Sequence, residues 1–124
     1  MQVKRAHLAY FSPTNTTRQT VRAIAEGSGL PSFESDFTDL KNPAPAPKFG
    51  PDELAVIGLP VYVGRLPRAA LAGLQAMRGE QTPAVLACVY GHRHFDDALV
   101  ELEDILRQNG FVPVAAGAFL GEHS

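Results

Sequence analysis

The distribution of apolar residues along the chain predicts five β-strands. Segments rich in apolar residues cover residues 7–11, 54–62, 83–91 and 111–120, and a shorter alternating segment covers residues 32–37. The continuous apolar runs are typical of parallel strands that are covered on both faces. The period-two alternation of residues 32–37 instead predicts a modest strand at an edge of the sheet.

Three segments between these strands have apolar residues at helical spacing. They are residues 16–27, 66–79 and 94–110, and the last has the clearest pattern. We expect the first helix to stop at Gly27 or Gly29, and the others at Gly79 and Gly110. In the first segment Val21, Ile24, Ala25 and Ser28 recur at helical spacing. The face of the second is formed by Leu66, Ala70, Leu74 and Met77, and the apolar stripe of the third by Phe95, Ala98, Leu99, Leu102, Ile105 and Leu106.

The order of these elements predicts a single α/β domain over residues 1–124. Strands that are separated by helices pair in parallel through right-handed crossovers, which places helices on both faces of the sheet. The proline-rich residues 40–53 have no periodicity and are expected to form an extended loop.

Composition narrows the class of protein without changing this fold. The net charge of -2 argues against a protein that binds nucleic acid through its phosphate backbone. The single cysteine, Cys88, lies in an apolar run and is expected to be a buried thiol. We find no signal-peptide pattern and no apolar stretch near the ~20 residues that a membrane helix needs, so we expect a cytoplasmic protein.

The segments that follow the first, third and fourth strands are the candidates for chemistry. In open parallel sheets, ligands bind at the carboxyl ends of the strands near the point where the strand order reverses. The first of these segments brings hydroxyl and amide side chains to a helix start, where backbone N–H groups and the helix dipole favour an anion. We interpret it as a phosphate site, with a simple helix cap as the alternative. Its polar residues are Ser12, Thr14, Asn15, Thr16 and Thr17.

The other two segments offer aromatic and polar groups for a planar ligand. Tyr62 could stack on a ring or pack on the next helix, and both remain open. His92 and His94 have the spacing of two metal ligands. The further ligands nearby, Asp96 and Asp97, are better placed in the first turn of the following helix, so we expect no metal site. The lysine-containing phosphate loop of nucleotide triphosphatases and the dinucleotide fingerprint are both absent.

Four segments together resemble the flavodoxin family, and within it the flavodoxin-like domains of flavodoxin–ferredoxin fusion proteins. They are YFSPTNTTRQ, GLPVYVGRLP, VYGHRHFDDALVELEDILRQNGF and GAFLGEHS. The resemblance implies a flavodoxin-like doubly wound parallel five-stranded sheet with strand order 2-1-3-4-5. It also implies bound FMN and electron transfer with a redox partner protein. Any iron–sulfur cluster would belong to that other polypeptide, because this chain has one cysteine.

The resemblance also assigns roles to residues. The FMN phosphate would bind at Ser12, Thr14, Asn15, Thr16 and Thr17. The isoalloxazine ring would lie between the segments after the third and fourth strands, at Pro60, Tyr62, Val63 and Gly64 and at Tyr90, Gly91, His92, Arg93 and Phe95.

Two features depart from the family pattern. Asn15 stands where the family usually has glycine, and asparagine tolerates a left-handed backbone better than most residues. The family continues into a final helix that covers one face of the sheet, whereas this chain stops at Ser124. We therefore expect the last helix to be missing, with the open face covered by a homodimer or a partner segment, or left open in a shortened chain.

Two other functions remain open alongside electron transfer. One is an FMN-dependent reductase of a small substrate such as a quinone, although the chain has no nicotinamide fingerprint. The other is a flavodoxin-like interaction module that has lost FMN. Neither nucleic acid nor a membrane is expected as a partner.

Overall fold

A computed structural model describes residues 2–62, 65–91 and 96–121 of the chain. In these ranges strands and helices alternate, except that the second and third strands are joined by a loop without a helix. Their bounds are β1 Arg5–Tyr10, α1 Thr16–Ser28, β2 Ser32–Asp36, β3 Glu53–Val61, α2 Arg68–Ala76, β4 Thr82–Tyr90, α3 Asp96–Gln108 and β5 Phe111–Leu120.

The five strands form one parallel sheet with the order β2-β1-β3-β4-β5. This confirms the strand order that the sequence predicts, and β2 is an edge strand as expected. After β1 the chain adds β2 on one side, then returns to add β3 on the other. The strand order therefore reverses between β1 and β3, and helices must lie on opposite faces.

Each face of the sheet has its own apolar core. On one face, Val21 and Ala25 of α1 pack against Leu8 and Val56. On the other face, α2 and α3 cover a larger cluster that includes Cys88, which is fully buried as the sequence predicts. Burial raises the pKa of the Cys88 thiol to about 12, so this thiol stays protonated at neutral pH.

Helix α1 approaches β3 closely because position 58 is glycine. A β-carbon at Gly58 would collide with Val21 and would lie 3.0 Å from the methyl carbon of Thr17. The first turns of α1 are thus seated directly on the carboxyl half of β3. This contact places the start of α1 beside the point where the strand order reverses.

Helix α2 is shorter than the predicted 66–79 segment. Leu66 and Met77 are buried as expected, but both lie outside the helix. Pro67 precedes the first helical residue in an extended conformation, and Met77 is extended with φ -68° and ψ 144°. The helix therefore ends before Gly79, which packs against Gly110 instead of capping α2.

One face of β5 carries exposed apolar side chains. By its pairing with β4, Phe119 is on the side of the sheet that α1 covers, and so is Val112. Phe119 is 36% exposed and Val112 is 38% exposed. None of the described helices is long and apolar enough to cross a membrane.

Candidate functional site

The carboxyl ends of β1, β3 and β4 lie at the same edge of the sheet, because the strands are parallel neighbours. Tyr10 pairs with Gly58, and Val61 pairs with Tyr90 at the ends of these strands. The segments that sequence reasoning selected therefore follow three strand ends at one edge. Of the predicted ring-binding residues, Val63, Gly64, His92, Arg93 and Phe95 lie outside the described residues.

The segment between β1 and α1 is held in place by Ser12. The Ser12 N–H donates to Oγ1 of Thr38 at 2.8 Å, which ties the segment to the end of β2. The Ser12 Oγ accepts the N–H of Arg18 at 3.0 Å and so satisfies the third N–H of helix α1. Ser12 thus performs the capping bond that a residue at the helix start would ordinarily make.

Asn15 is the residue that precedes α1, and its backbone is left-handed with φ 70° and ψ -8°. Its side chain makes no capping hydrogen bond, but its carbonyl accepts the N–H of Gln19 at 3.1 Å. Asparagine is among the few non-glycine residues that adopt this conformation readily. Asn15 thus adopts the left-handed backbone that asparagine tolerates better than most residues.

The first two N–H groups of α1 are not used by the rest of the described structure. The N–H groups of Thr16 and Thr17 have no acceptor among the residues that the structure describes. Such groups at a helix start carry partial positive charge and bind anions. Beside the β1/β3 edge, the start of α1 therefore presents two N–H groups that no described residue accepts.

The threonine side chains of this segment have different exposures. Thr14 is exposed and Thr16 is half-buried, so their hydroxyls can reach a ligand. Thr17 is 2% exposed because its side chain packs toward Gly58. Thr17 therefore contributes both to the core and to the helix-start N–H groups.

The residue that follows β3 presents an exposed aromatic ring. Tyr62 is 40% exposed, and its backbone makes two hydrogen bonds with Arg65, of 2.9 Å and 3.0 Å. Pro60 is buried within β3. Tyr90 is half-buried and packs against the core under α2 and α3, while Gly91 is half-buried beyond it. Of the two tyrosines, Tyr62 is therefore the better stacking platform.

A charged cluster next to the first segment was missed by the sequence reasoning. Oε1 and Oε2 of Glu34 accept hydrogen bonds from Arg22 at 3.0 Å and 2.6 Å, and Oε1 also accepts one from the Tyr10 hydroxyl at 2.7 Å. The guanidinium carbon of Arg18 lies 5.9 Å from the centre of the Tyr10 ring. Burial and the bond to Glu34 raise the pKa of Tyr10 to about 12, so the hydroxyl stays protonated. No short-range sequence pattern links these residues.

Comparison with known proteins gives structural neighbours only. No protein-family model matches the sequence, and a search of curated proteins gives no significant match. A flavodoxin from the domain Archaea superposes with a TM-score of 0.62 at 15% identity, over 97% of this chain and 85% of its own. The Streptococcus pneumonia TIGR4 flavodoxin superposes with a TM-score of 0.63 at 15% identity, over 94% of this chain and 85% of its own. General stress protein 14 of Treponema denticola was solved in complex with FMN. It superposes with a TM-score of 0.65 at 10% identity, over 96% of this chain and 87% of its own.

The chain has a flavodoxin-like fold. The parallel sheet, its order β2-β1-β3-β4-β5 and the superpositions over most of each chain agree on this point. In this fold the strand order reverses between β1 and β3, which is where Thr16, Thr17 and Tyr62 lie.

Proposed function

We propose that this chain binds FMN and transfers electrons through it. The observation that carries the proposal is a pair of helix-start N–H groups at the β1/β3 reversal point of a flavodoxin-like sheet. These N–H groups, of Thr16 and Thr17, have no acceptor among the described residues. This is the position at which flavodoxins hold FMN. The structural neighbour solved in complex with FMN supports the same cofactor.

The phosphate of FMN would bind between the start of α1 and the segment before it. The donors are the N–H groups of Thr16 and Thr17 and the hydroxyls of Ser12, Thr14 and Thr16. The Ser12 oxygen already accepts a bond from Arg18, which leaves its hydroxyl proton to donate. Neutral donors suit a phosphate monoester, which needs neither a lysine nor a magnesium ion.

The isoalloxazine ring would lie on the neighbouring strand ends. Tyr62, the residue after β3, supplies an exposed aromatic face, and aromatic stacking is worth about 1 kcal/mol beyond burial. The roles of Pro60, Val63 and Gly64, and of the segment after β4, follow from the family resemblance and stay predictions.

Bound FMN would supply one- or two-electron chemistry, and the protein would set its position and potential. A carrier of this kind exchanges electrons with a separate redox protein, which could hold an iron–sulfur cluster. Turnover of NAD(P)H with a quinone by the FMN-loaded protein would instead identify a reductase. A carrier shows no such turnover without a partner reductase.

The phosphate assignment is tested by comparing FMN with riboflavin, which lacks the phosphate. Isothermal titration of the purified protein should give tighter binding of FMN than of riboflavin. Thr14→Ala and Thr16→Ala should each weaken FMN by about 1 kcal/mol, or about fivefold, the usual net value of one hydrogen bond. Both variants should bind riboflavin as the parent does.

Thr20→Ala is the matched control for these variants. Thr20 is one turn further along α1, and its hydroxyl donates to the carbonyl of Thr16 at 3.1 Å. This change should leave FMN affinity unaltered. Equal FMN affinity in the parent and in both test variants would remove the segment from the site.

A further inference from the structure

A buried histidine on β1 connects a serine and a glutamate on the two adjacent strands. His7 is 3% exposed and lies on the face of the sheet opposite α1. Its Nε2 is 2.7 Å from Oγ of Ser35 on β2. Its Nδ1 is 3.2 Å from Oε1 of Glu53 on β3. Serine, histidine and carboxylate thus follow one another at hydrogen-bond distance.

The donors around Glu53 determine where the protons lie. The Arg5 guanidinium donates to Oε2 at 3.1 Å, and the Gly50 N–H donates to Oε1 at 3.2 Å. The Glu53 carboxylate is therefore an acceptor, and Nδ1 of His7 must carry the proton that it receives. Nε2 is then free to accept the hydroxyl proton of Ser35. Burial lowers the pKa of His7 below 6.5, which favours this neutral imidazole.

The imidazole is clamped between two aromatic rings. The rings of Phe33 and Phe49 stack on opposite sides of His7, with centroid distances of 4.1 Å and 4.0 Å. The two phenylalanine rings cover the faces of the imidazole, and its two nitrogens, which point outward in the ring plane, contact Ser35 and Glu53. Such packing provides the preorganised geometry that a general base needs.

Ser35 lies on the wall of a cavity of about 570 Å³, a volume typical of small-molecule sites. The cavity is bounded by β2, by α2 and by the proline-rich residues 39–47. Most of its described wall is apolar, and the charged groups there are acidic. The wall comprises Glu34, Ser35, Asp36, Phe37, Asp39, Leu40, Pro43, Ala44, Pro45, Ala46, Pro47, Ala69, Ala72, Gly73 and Ala76. It shares none of these residues with the surface formed by residues 12–17 and Tyr62.

We propose that Ser35, His7 and Glu53 form a hydrolytic relay for small neutral esters that bind in this cavity. An apolar acyl group suits the alanine- and proline-lined wall, and the carboxylates Asp36 and Asp39 disfavour an anionic substrate. Nucleophile, base and orienting carboxylate are the parts that such a reaction requires.

The reaction balances without a further reagent. The Ser35 Oγ forms a bond to the ester carbonyl carbon while its proton moves to Nε2 of His7. The ester C–O bond then breaks, and Nε2 returns the proton to the departing alcohol. Water repeats the two steps on the acyl-serine, which releases the carboxylic acid. Glu53 is a positioning residue that stabilises the transient imidazolium.

The backbone of the edge strand supplies a donor for the developing oxyanion. The N–H of Phe37 pairs with the carbonyl of Tyr10, so alternate N–H groups of β2 face β1. The N–H of Asp36 therefore points away from β1 at the open edge of the sheet, next to the cavity. It is the N–H of the residue after the nucleophile, a position that hydrolases use for this purpose.

Labelling of the unmodified protein by a fluorophosphonate tests the proposal without a variant. Mass spectrometry of the digested protein should place one phosphonyl group on Ser35. The exposed Ser32 of the same strand should remain unlabelled. Absence of a label on Ser35, or equal labelling of both serines, would overturn the proposal.

Hydrolysis of p-nitrophenyl butyrate tests the roles of the individual residues. Ser35→Ala should reduce kcat/KM to background and His7→Gln should reduce it by about 100-fold or more, whereas Ser32→Ala should leave it unchanged. Glu53→Gln should lower kcat more than it changes KM and should shift the pH at which the rate is half-maximal. An unaltered rate in Ser35→Ala would contradict the relay.

These assays need no flavin, so they separate this proposal from FMN binding. Each sample is assayed with and without added FMN, and its thermal midpoint is measured to confirm folding. Hydrolysis should be the same in both conditions. A rate that requires FMN would place the chemistry elsewhere and would contradict the relay.

Discussion

Asn15 shows how a single residue maintains the turn before α1. The position has a φ of 70°, a conformation that costs most L-residues ~1–2 kcal/mol but that glycine and asparagine adopt readily. Asn15 therefore preserves the backbone that presents the N–H groups of Thr16 and Thr17. Glycine is the other residue that adopts this backbone conformation without strain.

Substitution at this position should separate backbone strain from side-chain effects. Asn15→Ala should lower the free energy of unfolding by about 1 kcal/mol, because alanine lacks the local hydrogen-bonding capacity that eases a left-handed backbone. Asn15→Gly should change the free energy of unfolding by no more than about 0.5 kcal/mol. Glycine relieves the backbone strain of the folded chain, but it also increases the conformational entropy of the unfolded chain, and the two effects offset each other. Urea titration measures both values, and an equal loss of stability in the two variants would exclude the backbone explanation.

His7 should make stability depend on pH. Burial lowers the pKa of His7 in the folded chain below 6.5, its value in the unfolded chain. Between these two pKa values, the unfolded chain therefore binds a proton more readily than the folded chain does. The stabilisation is present above about pH 6.5 and is lost as the pH falls below it. The urea concentration at the unfolding midpoint should decrease as the pH is lowered from about 7.5 to about 5.5. His7→Gln should make this decrease smaller. An identical decline in the variant would assign it to other groups.

At the scale of elements, α1 depends on the lack of a side chain at Gly58. Gly58→Ala should force α1 away from β3 and cost about 1–3 kcal/mol of stability, because the new β-carbon would collide with Val21. Gly27→Ala is the matched control, since a β-carbon there would meet no atom within 4 Å. That change should stabilise α1 by up to about 1 kcal/mol. Urea midpoints check both, and a tolerated Gly58→Ala would refute the close packing.

The elements themselves were more predictable than the contacts between them. The bounds of β5 match the apolar run 111–120, although β5 is an edge strand with one exposed face and is not covered on both sides as that run predicts. The bounds of α2 do not match, since Leu66 and Met77 are buried outside the helix. The His7–Ser35 and His7–Glu53 contacts join residues that are 28 and 46 positions apart. Such pairs depend on strand register, which no single segment reveals.

At the scale of the whole molecule, the exposed face of β5 bears on assembly. Phe119 and Val112 are exposed on the side of the sheet that α1 covers elsewhere. The homodimer expected from the sequence stays a prediction, and this face is the surface that we propose for a second copy.

Light scattering during size-exclusion chromatography tests the dimer. The parent should elute with the mass of two chains, and Phe119→Asp should give a monomer because a carboxylate would be buried without a partner. Val100→Asp is the control, since Val100 is exposed on α3. A monomeric parent, or a variant that remains dimeric, would exclude this face as the interface.

The central claim is that the β1/β3 reversal point of this flavodoxin-like fold holds FMN by its phosphate. The most direct measurement is the titration of the purified protein with FMN and with riboflavin. The account predicts saturable binding of one FMN per chain, weaker binding of riboflavin and a loss of about fivefold in Thr16→Ala. Failure to bind FMN, or equal affinity for both flavins, would contradict it.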